Sequence, residues 1–266
     1  MPVKFRAKDE MKNFLTSWKA GALTAISVVV LCATAYSQPT GAVYSANIIG
    51  IQKSPVVQNL QLMSNPFEAM TIRELVGNSG VHATSEGAAD NVILYDAVGQ
   101  DYVTYYLRSA ASIGYPEWRR GTAWATNVYV QPGQGFFYRS RLSAVRTNTA
   151  VGDVVLDKAV TNLVRPGLQL LSYPYAAPVK ISDLNLKSGV HATSEGAADN
   201  LILYDSATQD YVTYYLRSAA SIGYPEWRRG TAWGTNVVLQ PGQSFFFRSR
   251  VATPYNWVEQ SPYPDL

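Results

Sequence analysis

The residues with the clearest capacity for binding chemistry lie in one aromatic and basic stretch that occurs twice. The sequence YPEWRRGTAW spans Tyr115–Trp124 and recurs unchanged at Tyr224–Trp233. Flat aromatic rings can stack on sugar rings, and guanidinium groups can bond hydroxyls or carboxylates. The stretch therefore predicts a ligand-binding surface that comprises Tyr115, Trp118, Arg119, Arg120, Trp124, Tyr224, Trp227, Arg228, Arg229 and Trp233.

Trp118 has a second interpretation, in which its side chain packs in the hydrophobic core. Tryptophan is highly buried on average, and Arg119 and Arg120 would then flank a core residue. Trp124 follows a Gly-Thr-Ala loop, so it is the better candidate for the surface.

The two histidines, His82 and His191, occupy equivalent positions in the two copies. Glu86 and Asp90 lie near His82, but one histidine per copy matches no zinc signature, and no Asp-rich calcium loop is present. We predict loop histidines with ordinary hydrogen bonds, and we expect no metal or other cofactor.

Catalysis has weaker support than binding. The chain contains no Gly-x-Ser-x-Gly motif, and its single cysteine is Cys32. Small separate domains also offer no large cleft for a duplicated active site. A secreted carbohydrate-active enzyme remains an alternative, because paired carboxylates about 5–10 Å apart could hydrolyse a glycosidic bond. The candidate acids are Asp101, Glu117/Glu226 and Glu86/Glu195.

The aromatic stretch belongs to a longer duplicated block. Ser79–Arg141 recurs as Ser188–Arg250 without a gap, and only 9 of the 63 aligned positions differ. Two copies are too few for a solenoid, whereas a period near 110 residues matches a whole domain. We predict two tandem homologous domains, at residues 38–150 and 151–266. The identity of the copies reflects either a shared function or a recent duplication.

Short alternating segments separated by Gly, Pro and Asn predict strands. One helical turn is indicated at Met70–Val76, where Thr71 and Glu74 have capping-box spacing. In the Phe136/Phe137 and Phe245/Phe246 pairs, one ring each should face the core. The pattern predicts an all-β fold of two antiparallel β-sandwich, jelly-roll-like domains. In repeat 1 the predicted strands are Tyr44–Gln52, Asn59–Ser64, Asn91–Asp96, Asp101–Arg108, Glu117–Arg120, Thr126–Val130 and, as the last, Phe136–Arg139.

The order of these motifs resembles β-modules of uncharacterised secreted bacterial proteins. Those modules read approximately W-N-L-I-G-N-P, then V-Y-x-Y-D, then P-G-Q-G-F-F-V, and this chain has LQLMSNP, NVILYD and QPGQGFFYR. Repeat 2 departs from the pattern at Tyr173, which replaces Asn65, and at Ser244, which replaces Gly135. The resemblance implies a β-fold and export, and it carries no established activity.

Residues 1–37 have the features of a signal peptide, with the start at Met1 or Met11. Basic residues precede the apolar run Ala20–Ala35, which is short for a membrane span, and small residues offer cleavage near 35–37. Without this segment the chain holds 17 Lys+Arg and 17 Asp+Glu. The neutral balance gives no support for nucleic-acid binding, and we expect no membrane association after cleavage.

These features predict a secreted, periplasmic or cell-surface protein. Its expected role is binding or structural, at the cell surface or in the extracellular matrix, with a polysaccharide or another cell-surface partner. Besides the enzyme, a self-associating coat or matrix subunit is an alternative, and an exposed apolar edge would favour it. The oligomeric state is left open.

Overall fold

The computed structural model describes residues 48–110, 113–219 and 224–263, which belong to one compact unit. The described residues form twenty strands and one short α-helix. Two antiparallel six-stranded sheets, one per repeat, dominate the structure. This confirms the predicted all-β fold of two tandem β-sandwich domains. The predicted signal peptide lies outside the described residues, and no described helix has the length and hydrophobicity needed to cross a membrane.

Each repeat contributes ten strands. In repeat 1 they are β1 (Ile49–Val56), β2 (Asn59–Ser64), β3 (Met70–Thr71), β4 (Asn91–Asp96), β5 (Asp101–Arg108), β6 (Glu117–Arg120), β7 (Ala123–Trp124), β8 (Tyr129–Val130), β9 (Gly135–Ser140) and β10 (Arg146–Asp153). In repeat 2 they are β11 (Ala159–Val164), β12 (Gly167–Ser172), β13 (Val179–Lys180), β14 (Asn200–Asp205), β15 (Asp210–Ala219), β16 (Tyr224–Arg229), β17 (Ala232–Trp233), β18 (Val238–Leu239), β19 (Ser244–Ser249) and β20 (Tyr255–Gln260).

The strands are arranged alike in the two repeats. The sheet of repeat 1 has the order β2-β9-β4-β5-β6-β7, and that of repeat 2 has β12-β19-β14-β15-β16-β17. Two-stranded ladders form the second layer: β1-β10 and β3-β8 in repeat 1, β11-β20 and β13-β18 in repeat 2. One face of each six-stranded sheet is thus covered within its own repeat.

Alternation along the strands builds a core in each repeat. Leu107, Trp118 and Phe136 point from the sheet into the core of repeat 1, where they meet side chains of the helix. Their counterparts Leu216, Trp227 and Phe245 lie in the core of repeat 2. Burial of each such side chain contributes roughly 1.5–3 kcal/mol relative to exposure.

The predicted capping box is present at the helix α1 (Ile72–Val76). The Thr71 hydroxyl accepts a hydrogen bond from the Glu74 backbone N–H at 3.2 Å, and the Glu74 carboxylate accepts one from the Thr71 N–H at 2.8 Å. The equivalent segment of repeat 2, residues 181–184, forms turns. Lys180 stands there at the position of Thr71, so no hydroxyl caps the segment.

The second faces of the two sheets pack against each other. Phe137 and Phe246, which are equivalent residues, meet with ring centroids 5.5 Å apart. Phe137 also contacts Tyr204, and Phe246 contacts Tyr95, each at 6.1 Å. This apolar cluster between the repeats also includes Leu60, Leu62, Ile93, Leu168, Leu170 and Ile202. In each phenylalanine pair, one ring therefore enters its own core and the other enters the interface.

Reciprocal hydrogen bonds show that this interface is pseudo-symmetric. The Gln100 side chain donates to the Leu168 carbonyl at 2.9 Å, and Gln209 donates to the Leu60 carbonyl at 3.1 Å. The Ser64 N–H donates to Gly242 O, and Ser172 N–H donates to Gly133 O, both at 2.9 Å. Equivalent surfaces thus pair with one another, as in a two-fold dimer interface.

Two details of the predicted chain order need correction. The strand at Phe136–Arg139 is not the last of repeat 1, because β10 follows it and pairs with β1 along its whole length. Of the predicted strand Thr126–Val130, only β8 (Tyr129–Val130) is a strand, and Thr126 and Asn127 form a turn. The predicted division at residues 150 and 151 falls inside β10, and the domain limits stay a prediction.

Candidate ligand-binding face

Trp118 and Trp227 lie in the cores and not on the predicted binding surface. Their exposed fractions are 1% and 0%. Trp118 Nε1 donates to the Gly77 carbonyl at 2.8 Å, which fixes the indole inside repeat 1. Alternation in β6 and β16 turns these residues inward while Arg119 and Arg228 point to the other face. The core interpretation of Trp118 is confirmed, and both tryptophans are withdrawn from the binding surface.

Trp124 and Trp233 are the exposed tryptophans of the repeated stretch, each with 41% exposure. Cross-strand pairing places Arg119 opposite Trp124 and Arg228 opposite Trp233. The guanidinium carbons lie 5.0 Å and 5.1 Å from the centroids of the respective rings. Such cation–π contacts orient the indoles and leave apolar ring surface in solvent. Arg120 and Arg229 are exposed beside them.

Tyr115 and Tyr224 are also exposed, and each ring has a cation over it. The Arg73 guanidinium lies 4.5 Å from the Tyr115 centroid, and the Lys187 ammonium lies 5.6 Å from the Tyr224 centroid. Arg73 and Lys187 come from non-equivalent positions of the repeats. The same local arrangement is thus reached with different residues.

These cations also neutralise two buried carboxylates that were candidate catalytic acids. Arg73 binds Glu117 at 3.2 Å, and Lys187 binds Glu226 at 3.0 Å. Glu117 and Glu226 accept a further hydrogen bond from the backbone N–H of Trp118 and Trp227. A buried carboxylate held in this way anchors the strand and faces no open cleft.

Strand register joins the tryptophan–arginine pair to three further side chains. Arg139, Asn91, Tyr106, Arg119 and Trp124 are successive cross-strand partners on β9, β4, β5, β6 and β7. Directly opposed residues share a face of the sheet. We call these five residues, with their counterparts Arg248, Asn200, Tyr215, Arg228 and Trp233, the binding rows.

The binding rows are identical in the two repeats. The sequence identified the arginine and tryptophan on β6, β7, β16 and β17 and did not indicate Arg139 and Asn91 or their counterparts, whereas Tyr106 and Tyr215 are buried in the sheet. The sequence does not show this alignment, because it depends on the register between strands that lie far apart in the chain. The asparagines are oriented by the loop before them, since Asn91 donates to the Glu86 carbonyl and Asn200 to the Glu195 carbonyl.

A cavity of about 290 Å³ adjoins the binding row of repeat 2 at the seam between the repeats. Arg248 and Asn200 of the row line it, and Tyr102 from repeat 1 contributes a wall. Burial raises the pKa of the Tyr102 and Tyr211 hydroxyls, so both remain neutral donors at neutral pH. The other lining residues are Leu168, Glu195, Ile202, Thr213 and Phe246.

The histidines are bound in their loops. His82 Nδ1 lies 2.5 Å from the Ser109 hydroxyl, and His191 makes the equivalent contact with Ser218. Each histidine ring thus has a serine hydroxyl as its hydrogen-bond partner, in line with the loop interpretation. Within the described parts of the chain, no group of three or more His, Cys, Asp or Glu side chains is arranged to hold a metal ion.

The β1-β10 ladder exposes apolar side chains. Ile49 and Ile51 are each 67% exposed, and Val151, the cross-strand partner of Ile51, is 52% exposed. Such a patch on a two-stranded ladder is a feature of association surfaces.

Comparison with protein-family models, with curated proteins and with solved structures yields no match.

Proposed function

We propose that this chain is an exported, non-enzymatic protein that binds a polysaccharide through the binding rows of its two repeats. The signal-peptide features of residues 1–37 support export to the periplasm, the cell surface or the medium. The expected partner is a polymer of the cell surface or extracellular matrix.

The observation that carries the proposal is the repeated exposed tryptophan. Trp124 and Trp233 present equally exposed rings, each held by an arginine at nearly the same distance. Arg139 and Arg248, at the far ends of the rows, add solvent-accessible guanidinium groups, whereas the asparagines and tyrosines between them are buried and support the sheet. This combination of an aromatic platform with hydrogen-bonding groups suits a sugar ring, which has apolar faces and hydroxyl edges.

Two equivalent rows on one chain favour a repeating ligand. Once one row holds a polymer, the second contact is intramolecular, and apparent affinity can rise about 10²–10⁴-fold. The proposed enzyme alternative lacks comparable support, because Glu117 and Glu226 are buried and paired with cations.

The test is binding of the exported form to a panel of polymeric glycans. Trp124→Ala and Trp233→Ala should each weaken binding to the polymer that the wild type selects, and the double variant should abolish it. Tyr129→Ala is a matched control, since Tyr129 is exposed but is replaced by valine in repeat 2. Unchanged binding by the double variant would refute the proposal.

Self-association is the second candidate, and the apolar patch of Ile49, Ile51 and Val151 favours it. Its test is sedimentation of the exported form over a range of concentrations. A monomer at every concentration would remove this candidate, whereas Ile51→Lys should shift an observed oligomer towards monomer.

A further inference from the structure

We infer that the ligand is an acidic polysaccharide, and that the cavity at the seam between the repeats receives one sugar carboxylate on Arg248. The inference rests on the proposed glycan-binding function and specifies the chemical class of the ligand.

The charge of Arg248 is not compensated within the described residues. The three salt bridges formed among residues 48–110, 113–219 and 224–263 join Arg73 to Glu117, Arg146 to Asp90 and Lys187 to Glu226. Arg248 takes part in none of them, although Glu195 lines the same cavity. Arg139, at the equivalent position of repeat 1, likewise forms no salt bridge with a described residue.

A planar guanidinium group matches a carboxylate, because two parallel N–H···O bonds can form at once. A neutral sugar would cover this cation without supplying an opposite charge, and the desolvation of the guanidinium would then oppose binding. Recognition of a carboxylate offsets that cost. Each row also holds a second arginine, Arg119 or Arg228, beside its tryptophan.

The remaining walls suit a sugar ring. Tyr102, Tyr211 and Phe246 supply aromatic surface, and Asn200, Thr213 and Glu195 supply groups that bond hydroxyls. The volume, about 290 Å³, lies at the lower end of the range of small-ligand sites. The cavity therefore fits a single unit of a polymer.

The site is built from both repeats. Tyr102 belongs to repeat 1, and its ring contacts Phe137 in the interface at a centroid distance of 6.3 Å. Tyr211, its counterpart, contacts Phe246 at the same distance. Packing of the repeats thus completes the cavity, and neither sheet forms it alone.

The experiment measures the affinity of the exported protein for polygalacturonate and for fully methyl-esterified polygalacturonate, by calorimetry. Loss of the ligand charge should weaken binding about tenfold or more. Arg139→Gln combined with Arg248→Gln should lower the affinity for polygalacturonate by a similar factor and lower the affinity for the ester much less. Dextran sulfate and uncharged dextran form a second matched pair.

The control for total charge is Lys158→Gln combined with Lys180→Gln, which removes two positive charges from exposed positions outside the cavity. An equal loss in this control, or equal affinity of wild type for polygalacturonate and its ester, would overturn the inference. Binding of dextran sulfate without polygalacturonate would overturn the assignment of a carboxylate.

The failure of the inference is distinguishable from failure of the proposed function. If Trp124→Ala with Trp233→Ala abolishes binding to a neutral glycan while the arginine changes have no effect, glycan binding stands and carboxylate recognition is wrong. If the tryptophan variant binds every polymer as the wild type does, both fail.

Discussion

The buried aspartates Asp90 and Asp199 show how single residues change the charge balance of two otherwise similar repeats. Asp90 accepts hydrogen bonds from the Tyr138 hydroxyl at 2.6 Å and from Arg146 at 3.4 Å. In repeat 2, phenylalanine replaces Tyr138 and Tyr255 replaces Arg146. Asp199 therefore lacks that salt bridge, although backbone N–H groups of Val190 and Arg250 still donate to it.

Burial consequently raises the pKa of Asp199, against the opposing effect of its backbone hydrogen bonds and the Arg250 charge. Between the unfolded pKa and the raised folded pKa, the folded state holds more protons than the unfolded state. The contribution of Asp199 to the free energy of unfolding should then decrease as pH rises through this window, and the loss is complete above the folded pKa.

Asp199→Asn should remove this pH dependence. Chemical denaturation of the wild type and the variant at several pH values above about 3.8 measures it. If the free energy of unfolding of the two proteins changed with pH in parallel, the raised pKa of Asp199 would be contradicted. Glu259, whose pKa is also raised by burial, is unchanged in the variant and so cancels in the comparison.

At the scale of elements, β9 and β19 connect the core of each repeat to the interface between them. Phe136 and Phe245 enter the cores, whereas Phe137 and Phe246 form the interface. All four rings are buried. The expectation of one core phenylalanine per pair is met within each repeat, but the second ring is buried too, because another sheet covers the outer face.

A double-mutant cycle separates the two roles. Phe136→Ala and Phe137→Ala should each lower the free energy of unfolding by about 3–5 kcal/mol. Phe137→Ala and Phe246→Ala should couple by about 0.5–3 kcal/mol, because their rings touch, whereas Phe136→Ala and Phe246→Ala should be additive. Urea denaturation of the three single and two double variants measures these effects. Additivity of the Phe137 and Phe246 pair would contradict the described interface.

At the scale of the whole molecule, the pseudo-symmetric interface accounts for one sequence difference between the repeats, Gly135 against Ser244. A Cβ on Gly135 would lie 2.6 Å from the Cβ of its counterpart, Ser244. The Ser244 hydroxyl donates to the Met63 carbonyl at 2.8 Å. Only one of the two equivalent positions has room for a side chain, so the copies differ there.

Gly135→Ser should therefore destabilise the protein by about 1–3 kcal/mol through overpacking. Adding Ser244→Gly should recover part of that loss, because it restores one small residue at the contact. Thermal unfolding of both variants and of Ser244→Gly alone tests this. A Gly135→Ser variant as stable as the wild type would show that the sheets do not approach so closely.

Local structure and the internal duplication can be read directly from the sequence. The limits of β2, β4, β5 and β6 follow from alternation and turn residues, and the capping box of α1 follows from the spacing of Thr71 and Glu74. These features depend on neighbours within a few residues. The polar strand β10 was missed, since RTNTAVGD has little apolar alternation and acquires its structure by pairing with β1, about 100 residues earlier.

Which side chains share a surface follows only from the fold. In the folded chain, Trp118 and Trp227 lie in the cores. Arg139, Asn91 and Tyr106 are aligned across the strands with Arg119 and Trp124. Phe137 packs against Phe246 of the other repeat. The physical reason is that a residue's face is set by its own strand, whereas its cross-strand partners and the cover over that face are set by distant parts of the chain.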